Sequence, residues 1–186
     1  MYFLLRYGCI YWTSYIKIMI TYMGWDNGIA GGLAFYKPED LENPLAVYPM
    51  PIVTVKKAKG NKNEYNIPEI IRIINSHGPI KLCVLERAQA FPGSAVQATF
   101  SYARTFGIAE GILSALGIPY RVIAPQSWMA DMFRGIPHGK GETKQASILV
   151  AQRLFPNARF IATDKATKIH DGMTDAALMA VYATKI

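Results

Sequence analysis

Residues 80–85 run almost without interruption through apolar side chains and stop at Glu86. A short apolar run of this kind is the pattern of a strand buried on both faces, so the rest of the chain must supply layers that cover a sheet on each side. Glu86 ends that strand with a carboxylate, which is costly to bury unless something compensates its charge.

The flanking segments supply the layers. Residues 19–25 read as a strand, Asp26-Asn27-Gly28 as a tight turn and residues 31–36 as a second strand, so the chain opens on an antiparallel hairpin. A third strand is expected over residues 46–55, at a sheet edge because Pro49 and Pro51 interrupt its donors. Lys56, Lys57, Lys59 and Lys62 then cluster in what reads as a polar loop. Behind Pro68, the spacing of Ile70, Ile71, Ile73 and Ile74 predicts a short helix over residues 67–76. Val96, Phe100, Ala103, Gly107 and Gly111 recur at helical spacing through a long helix closed by Gly117, and residues 120–124 form another short strand. Helices follow over residues 125–133, 143–154 and 171–184. Strands first, then strands alternating with helices, describe an α/β fold: a mixed sheet flanked by helices.

With 186 residues, 51% of them apolar, the chain can bury one substantial core, and we read residues 19–186 as one domain. Lysine plus arginine outnumber the acids 20 to 13, a net charge of +7 that favours a polyanionic partner. Cys9 and Cys83 match no zinc or disulfide spacing, which suits a reducing compartment such as the cytoplasm. Residues 1–18 are aromatic-rich and lack acids. Arg6 and Lys17 interrupt them too early for a membrane span, and no small-residue cleavage site follows. They read as a leader, with an added strand, an upstream extension and an organellar targeting segment all open.

Four acids stand out by position. Asp26 and Glu86 each end a strand, and ligand sites in α/β sheets gather at strand ends. Asp171 and Asp175 are four apart, hence on one face of the last helix. If that helix packs beside the strand ends, four carboxylates converge, and their repulsion calls for cations. Oxygen-only ligands suit magnesium, with manganese as a substitute, and two such ions can cut a phosphodiester. Plainer roles exist for the same residues: Asp26 as a turn former, Asp171 as a helix N-cap. Asp175 interrupts an apolar run as a poor helix former, and Glu110 is a reserve candidate.

The segments Gly24-Trp25-Asp26-Asn27-Gly28, Val84-Leu85-Glu86 and His170-Asp171-Gly172-Met173-Thr174-Asp175-Ala176 together resemble the RuvC family of Holliday junction resolvases, above all its phage-type and organellar relatives. Phe91-Pro92-Gly93-Ser94-Ala95-Val96, Ser101-Tyr102-Ala103-Arg104-Thr105-Phe106-Gly107, Gly117-Ile118-Pro119-Tyr120 and Ala124-Pro125-Gln126-Ser127-Trp128 are similar to that family's intervening stretches. Each motif is short, but their order carries the resemblance over residues 19–183.

That resemblance implies a ribonuclease H-like fold and a magnesium-dependent endonuclease that resolves four-way DNA junctions as a homodimer. It implies that Asp26, Glu86, Asp171 and Asp175 are metal-binding and catalytic. Many members space the final pair by three, often with histidine first, whereas here Asp171 lies four and His170 five before Asp175, so either can be the third ligand. Lys144 stands where the family has a basic residue near the scissile phosphate, and Arg87, Arg104 and Lys140 are further candidates for DNA contact. Phe91 sits like a junction-probing aromatic, or else anchors its loop to the core. The small-residue face of the helix over residues 96–116 suits a dimer interface, or else packs against the sheet. Other ribonuclease H-like nucleases, acting on flaps, single strands or RNA–DNA hybrids, and a catalytically silent DNA-binding relative are the competing readings.

Overall fold

The computed structural model describes residues 19–58, 60–89, 93–137, 139 and 141–186, so the leader, Lys59, Phe91 and Lys140 lie outside the described residues. The apolar run becomes β6 (Ile80–Glu86), and it is flanked on both sides by parallel neighbours, β1 (Thr21–Asp26) and β7 (Tyr120–Ile123). β2 (Gly32–Tyr36) pairs antiparallel with β1, and β3 (Leu45–Pro49) pairs antiparallel with β2, giving the order β3-β2-β1-β6-β7. The proline-bearing strand is indeed an edge, where a missing donor disrupts no ladder.

Period-two alternation sorts the strand residues into two cores. Met23, Trp25, Leu33, Phe35, Cys83 and Leu85 face α1 (Ile67–Ser76) and α2 (Val96–Ala115), whose Ile70, Ile73, Ile74, Ala109, Ile112 and Leu113 cover them. Ala34 and Val84 face the other way, onto α3 (Pro125–Met132), α4 (Thr143–Leu154) and α5 (Asp171–Tyr182). Among the described residues no helix is long and apolar enough to cross a membrane.

α5 packs directly on the backbone of the sheet. A Cβ on Gly24 would stand 2.0 Å from the Ala176 carbonyl oxygen, one on Gly32 2.7 Å from that of Gly172, and one on Gly172 2.3 Å from that of Ala30. Three glycines therefore let helix backbone rest almost directly on strand backbone, and Ala176, Ala177 and Ala180 keep the rest of that face thin.

Two expectations need correction. The segment over residues 46–55 is two strands, because the chain breaks at Met50-Pro51 and β4 (Ile52–Lys57) leaves the main sheet. The expected polar loop is instead a second hairpin, in which β4 pairs antiparallel with β5 (Gly60–Tyr65). Backbone hydrogen bonds hold it, and its polar β5 carries no apolar alternation from which it could be read.

Candidate active site

Trp25 is in register with Leu85 across the parallel β1 and β6, so the next residues, Asp26 and Glu86, end neighbouring strands at one edge of the sheet. Asp26 shares the face of Gly24, and Glu86 that of Val84, so both carboxylates point toward the α5 side. The two carboxyls lie close enough to interact, protonated Asp26 donating to Glu86, and the Trp128 indole Nε1 of α3 donates to Glu86 Oε1 at 3.1 Å.

α5 begins at the same edge. His170 is its N-cap: ring Nδ1 accepts from the Met173 backbone N–H at 3.3 Å, and the His170 backbone N–H donates to Phe160 O at 2.8 Å. This occupies one ring nitrogen with capping and leaves Nε2 free of that task. Asp171 is the first helical residue and Asp175 lies one turn deeper. α4 packs alongside and contributes two partners three residues apart on one face. Lys144 Nζ donates to Asp171 Oδ2 at 2.5 Å, and Ser147 Oγ donates to Asp175 Oδ1.

The acids differ in how readily they ionise. Burial, then the charges of Glu86 and Asp175, hold the Asp26 carboxyl well above its ordinary value. Burial also raises Glu86, although the hydrogen bonds from Trp128 and Asp26 oppose it. Asp175 is pushed up to about 7, by burial first and by Glu86 and Asp171 next, with the Ser147 hydroxyl pulling the other way. Asp171 goes below the ordinary carboxylate range because Lys144 hydrogen-bonds and neutralises it. Three of the four carboxyls thus resist ionisation, through burial in each case and through neighbouring charge as well for Asp26 and Asp175.

An all-oxygen donor set fits magnesium or manganese. Among the described residues, however, no three such side chains converge as a finished coordination sphere. Asp175 is turned to Ser147 and Asp171 to Lys144.

A second layer braces the site from behind. Asn27, which follows Asp26, is buried rather than exposed in a turn. The Tyr65 hydroxyl, at the end of β5, donates to Asn27 Oδ1 at 3.1 Å and accepts from the Gly28 backbone N–H at 3.0 Å. Burial pushes Tyr65 up to about 12, and burial together with Glu86 and Asp26 also raises Tyr102 on α2. Sequence pattern does not single out Trp128, Ser147 or Tyr65 as site residues. For Ser147 a signal exists, its position one helical turn after Lys144.

Of the basic candidates, Arg87 is exposed immediately beyond Glu86, while Arg104 forms an ion pair with Glu64 of β5 at 3.1 Å. Phe91 and Lys140 fall outside the described residues. The stripe of α2 that carries Val96, Phe100, Ala103, Gly107 and Gly111 is exposed, with Val96 at 85% and Phe100 at 65%, and a Cβ on either glycine would meet nothing within 4 Å. It does not pack against the sheet; Thr105, Ala109, Ile112 and Leu113 do.

No family model matches the chain, and no curated protein matches it. Solved structures do. Thermus thermophilus RuvC aligns with a TM-score of 0.52 at 12% identity, over 90% of this chain and 96% of that one. T. thermophilus RuvC in complex with a Holliday junction substrate aligns with a TM-score of 0.50 at 9% identity, over 88% of this chain and 91% of the other. The fold is therefore RuvC-like, of the ribonuclease H type.

Proposed function

We propose that the chain is a divalent-metal-dependent endonuclease of the RuvC type, resolving four-way DNA junctions by phosphodiester hydrolysis. The observation that carries this reading is the electrostatic coupling of Asp26 and Glu86, at parallel strand ends, to Asp171 and Asp175 of α5, on a fold whose solved neighbours include a junction complex. Asp26, Glu86 and Asp175 are the residues that would hold the metal, with Asp171 as the fourth acid and His170 Nε2 as an alternative to it. Two magnesium ions bound there would supply activation of water and stabilisation of the leaving oxygen. Lys144, 72% exposed beside Asp171, is placed to offset charge on an incoming phosphate. Trp128 and Ser147 orient Glu86 and Asp175, while Tyr65 and Asn27 hold the turn that follows Asp26.

A four-way junction presents two equivalent strands, and a two-fold dimer sets one site on each. The exposed α2 stripe is free for that contact, since a helix lined by glycine and alanine admits close approach.

The reading is tested with purified protein, magnesium and a panel of labelled junction, flap, duplex and RNA–DNA hybrid substrates. Paired, symmetry-related cuts in the junction are expected, lost by about two orders of magnitude or more in Asp26→Asn or Glu86→Gln while DNA binding persists. Cleavage at the wild-type rate by either variant, or preference for hybrid over junction, overturns it.

A further inference from the structure

Apart from Tyr65 at its root, the β4–β5 hairpin plays no part in the chemistry above, yet it stands on the same edge of the sheet. β3 runs parallel to β1 and ends at Pro49, which pairs with Gly32, which in turn pairs with Asp26. From there Met50 N–H donates to Gly31 O at 3.0 Å, and Asn66 N–H closes the base onto Pro51 O at 2.9 Å. Tyr65, the last residue of β5, binds Asn27 and Gly28 beside Asp26. Both legs of the hairpin are therefore rooted at the carboxylate edge.

From that root the pairing runs from Ile52↔Tyr65 to Lys57↔Gly60, a reach of about 17 Å at strand rise. Most of the ribbon is open: Ile52 and Val53 are 40% and 41% exposed, and Thr54, Lys56, Asn61 and Asn63 are exposed as well. An isolated two-stranded hairpin is marginal, and this one is steadied by the Thr54 Oγ1 to Asn63 Oδ1 bond at 2.9 Å and by the Glu64 to Arg104 ion pair on its flank. The ribbon over residues 52–65 contains four lysines and a single acid, Glu64, which is paired with Arg104. Lys56 shares a face with Asn61, Asn63 and Tyr65, while Lys62 pairs with Val55 on the other. Phosphates passing on either side of the ribbon meet an ammonium group.

We propose that this hairpin is a docking arm for duplex DNA, with Lys62 and Lys56, three and four steps out from the root, gripping the phosphate backbone of an arm about three to four base pairs from the cut site. The proposal rests on the nuclease reading above and adds where the substrate lies. A plainer role for the same lysines, keeping an exposed strand edge from pairing with other chains, predicts no effect on DNA affinity.

The test uses the full chain in chelator, so that DNA binds without being cut. Binding of a junction with long arms is followed by fluorescence anisotropy across a salt series, and hydroxyl-radical footprinting maps the arms. The Lys56→Gln/Lys62→Gln double variant is expected to melt at the wild-type temperature and to lower the log–log salt slope by about 2, since each phosphate contact contributes about 0.9. It should also lose backbone protection about three to four base pairs out. The Lys56→Arg/Lys62→Arg variant is expected to restore both. A folded Gln variant with wild-type slope and footprint overturns the docking arm and leaves the nuclease reading standing. A wild-type protein that binds no DNA at all overturns both.

Discussion

Asp175→Asn is expected to make the metal-free protein more stable while destroying the proposed nuclease activity. The carboxyl is held at about 7 against an ordinary 3.8. The folded chain thus keeps a proton that the unfolded chain has released, so ionisation of Asp175 opposes folding. That penalty is absent below about pH 3.8, grows as pH rises toward 7 and is complete above it. At full ionisation it amounts to about 4 kcal/mol, and if relaxation of the site and entry of water leave half, about 2 kcal/mol remains. Asparagine has nearly the same volume, carries no charge, and its Oδ1 still accepts from Ser147. The variant should therefore melt about 4–8 °C above wild type at pH 8 in chelator. The difference should vanish near pH 4. Saturating magnesium should reverse the order, because binding at a hundred times the dissociation constant stabilises the wild type by about 2.7 kcal/mol and the variant by much less. Calorimetry of both proteins, with chelator and with magnesium, across pH 4–8 reads all three effects. A variant that melts at or below wild type in chelator at pH 8 would refute the reasoning.

Gly24→Ala should cost more than about 3 kcal/mol and cut cleavage about a hundredfold, because the new Cβ meets backbone of α5 at 2.0 Å and moves Asp175 with it; denaturant melts and single-turnover rates measure this. Ser147→Ala removes the hydroxyl that holds Asp175 down, so its carboxyl shifts further up and the magnesium concentration for half-maximal cleavage should rise about tenfold at pH 7. An unchanged magnesium requirement contradicts the positioning role of Ser147. Phe100→Glu combined with Gly107→Glu should keep the fold, since both positions are exposed, and should convert the proposed dimer into a monomer in sedimentation velocity. A wild type that already sediments as a monomer on intact junction DNA counts against the two-fold arrangement.

Local periodicity alone makes much of this molecule legible. The apolar run to Glu86, the opening hairpin to Asp26 and the four-residue spacing of Asp171 and Asp175 all follow from the two- and 3.6-residue repeats of strand and helix. The residue order also holds the glycines at 24, 32 and 172, but not their purpose. Only the packed structure sets β6 beside β1 in parallel register and lets α5 settle onto bare backbone, and those two events bring the acids within electrostatic reach of one another. It also decides which face of α2 is buried. Val96, Phe100 and Gly107 recur as regularly as Thr105, Ala109 and Ile112, and with apolar residues spread around the helix no local pattern ranks the two. The second hairpin escapes a pattern reading for a related reason: its stability comes from backbone pairing between β4 and a polar β5, which leaves little mark on side-chain pattern. The partners of the acids, Ser147, Trp128 and Tyr65, lie 28, 42 and 38 residues from the positions they serve, Asp175, Glu86 and Asn27. Contacts at such separations are chosen by the folding of whole layers, so the chain order can name the acids but not what holds them.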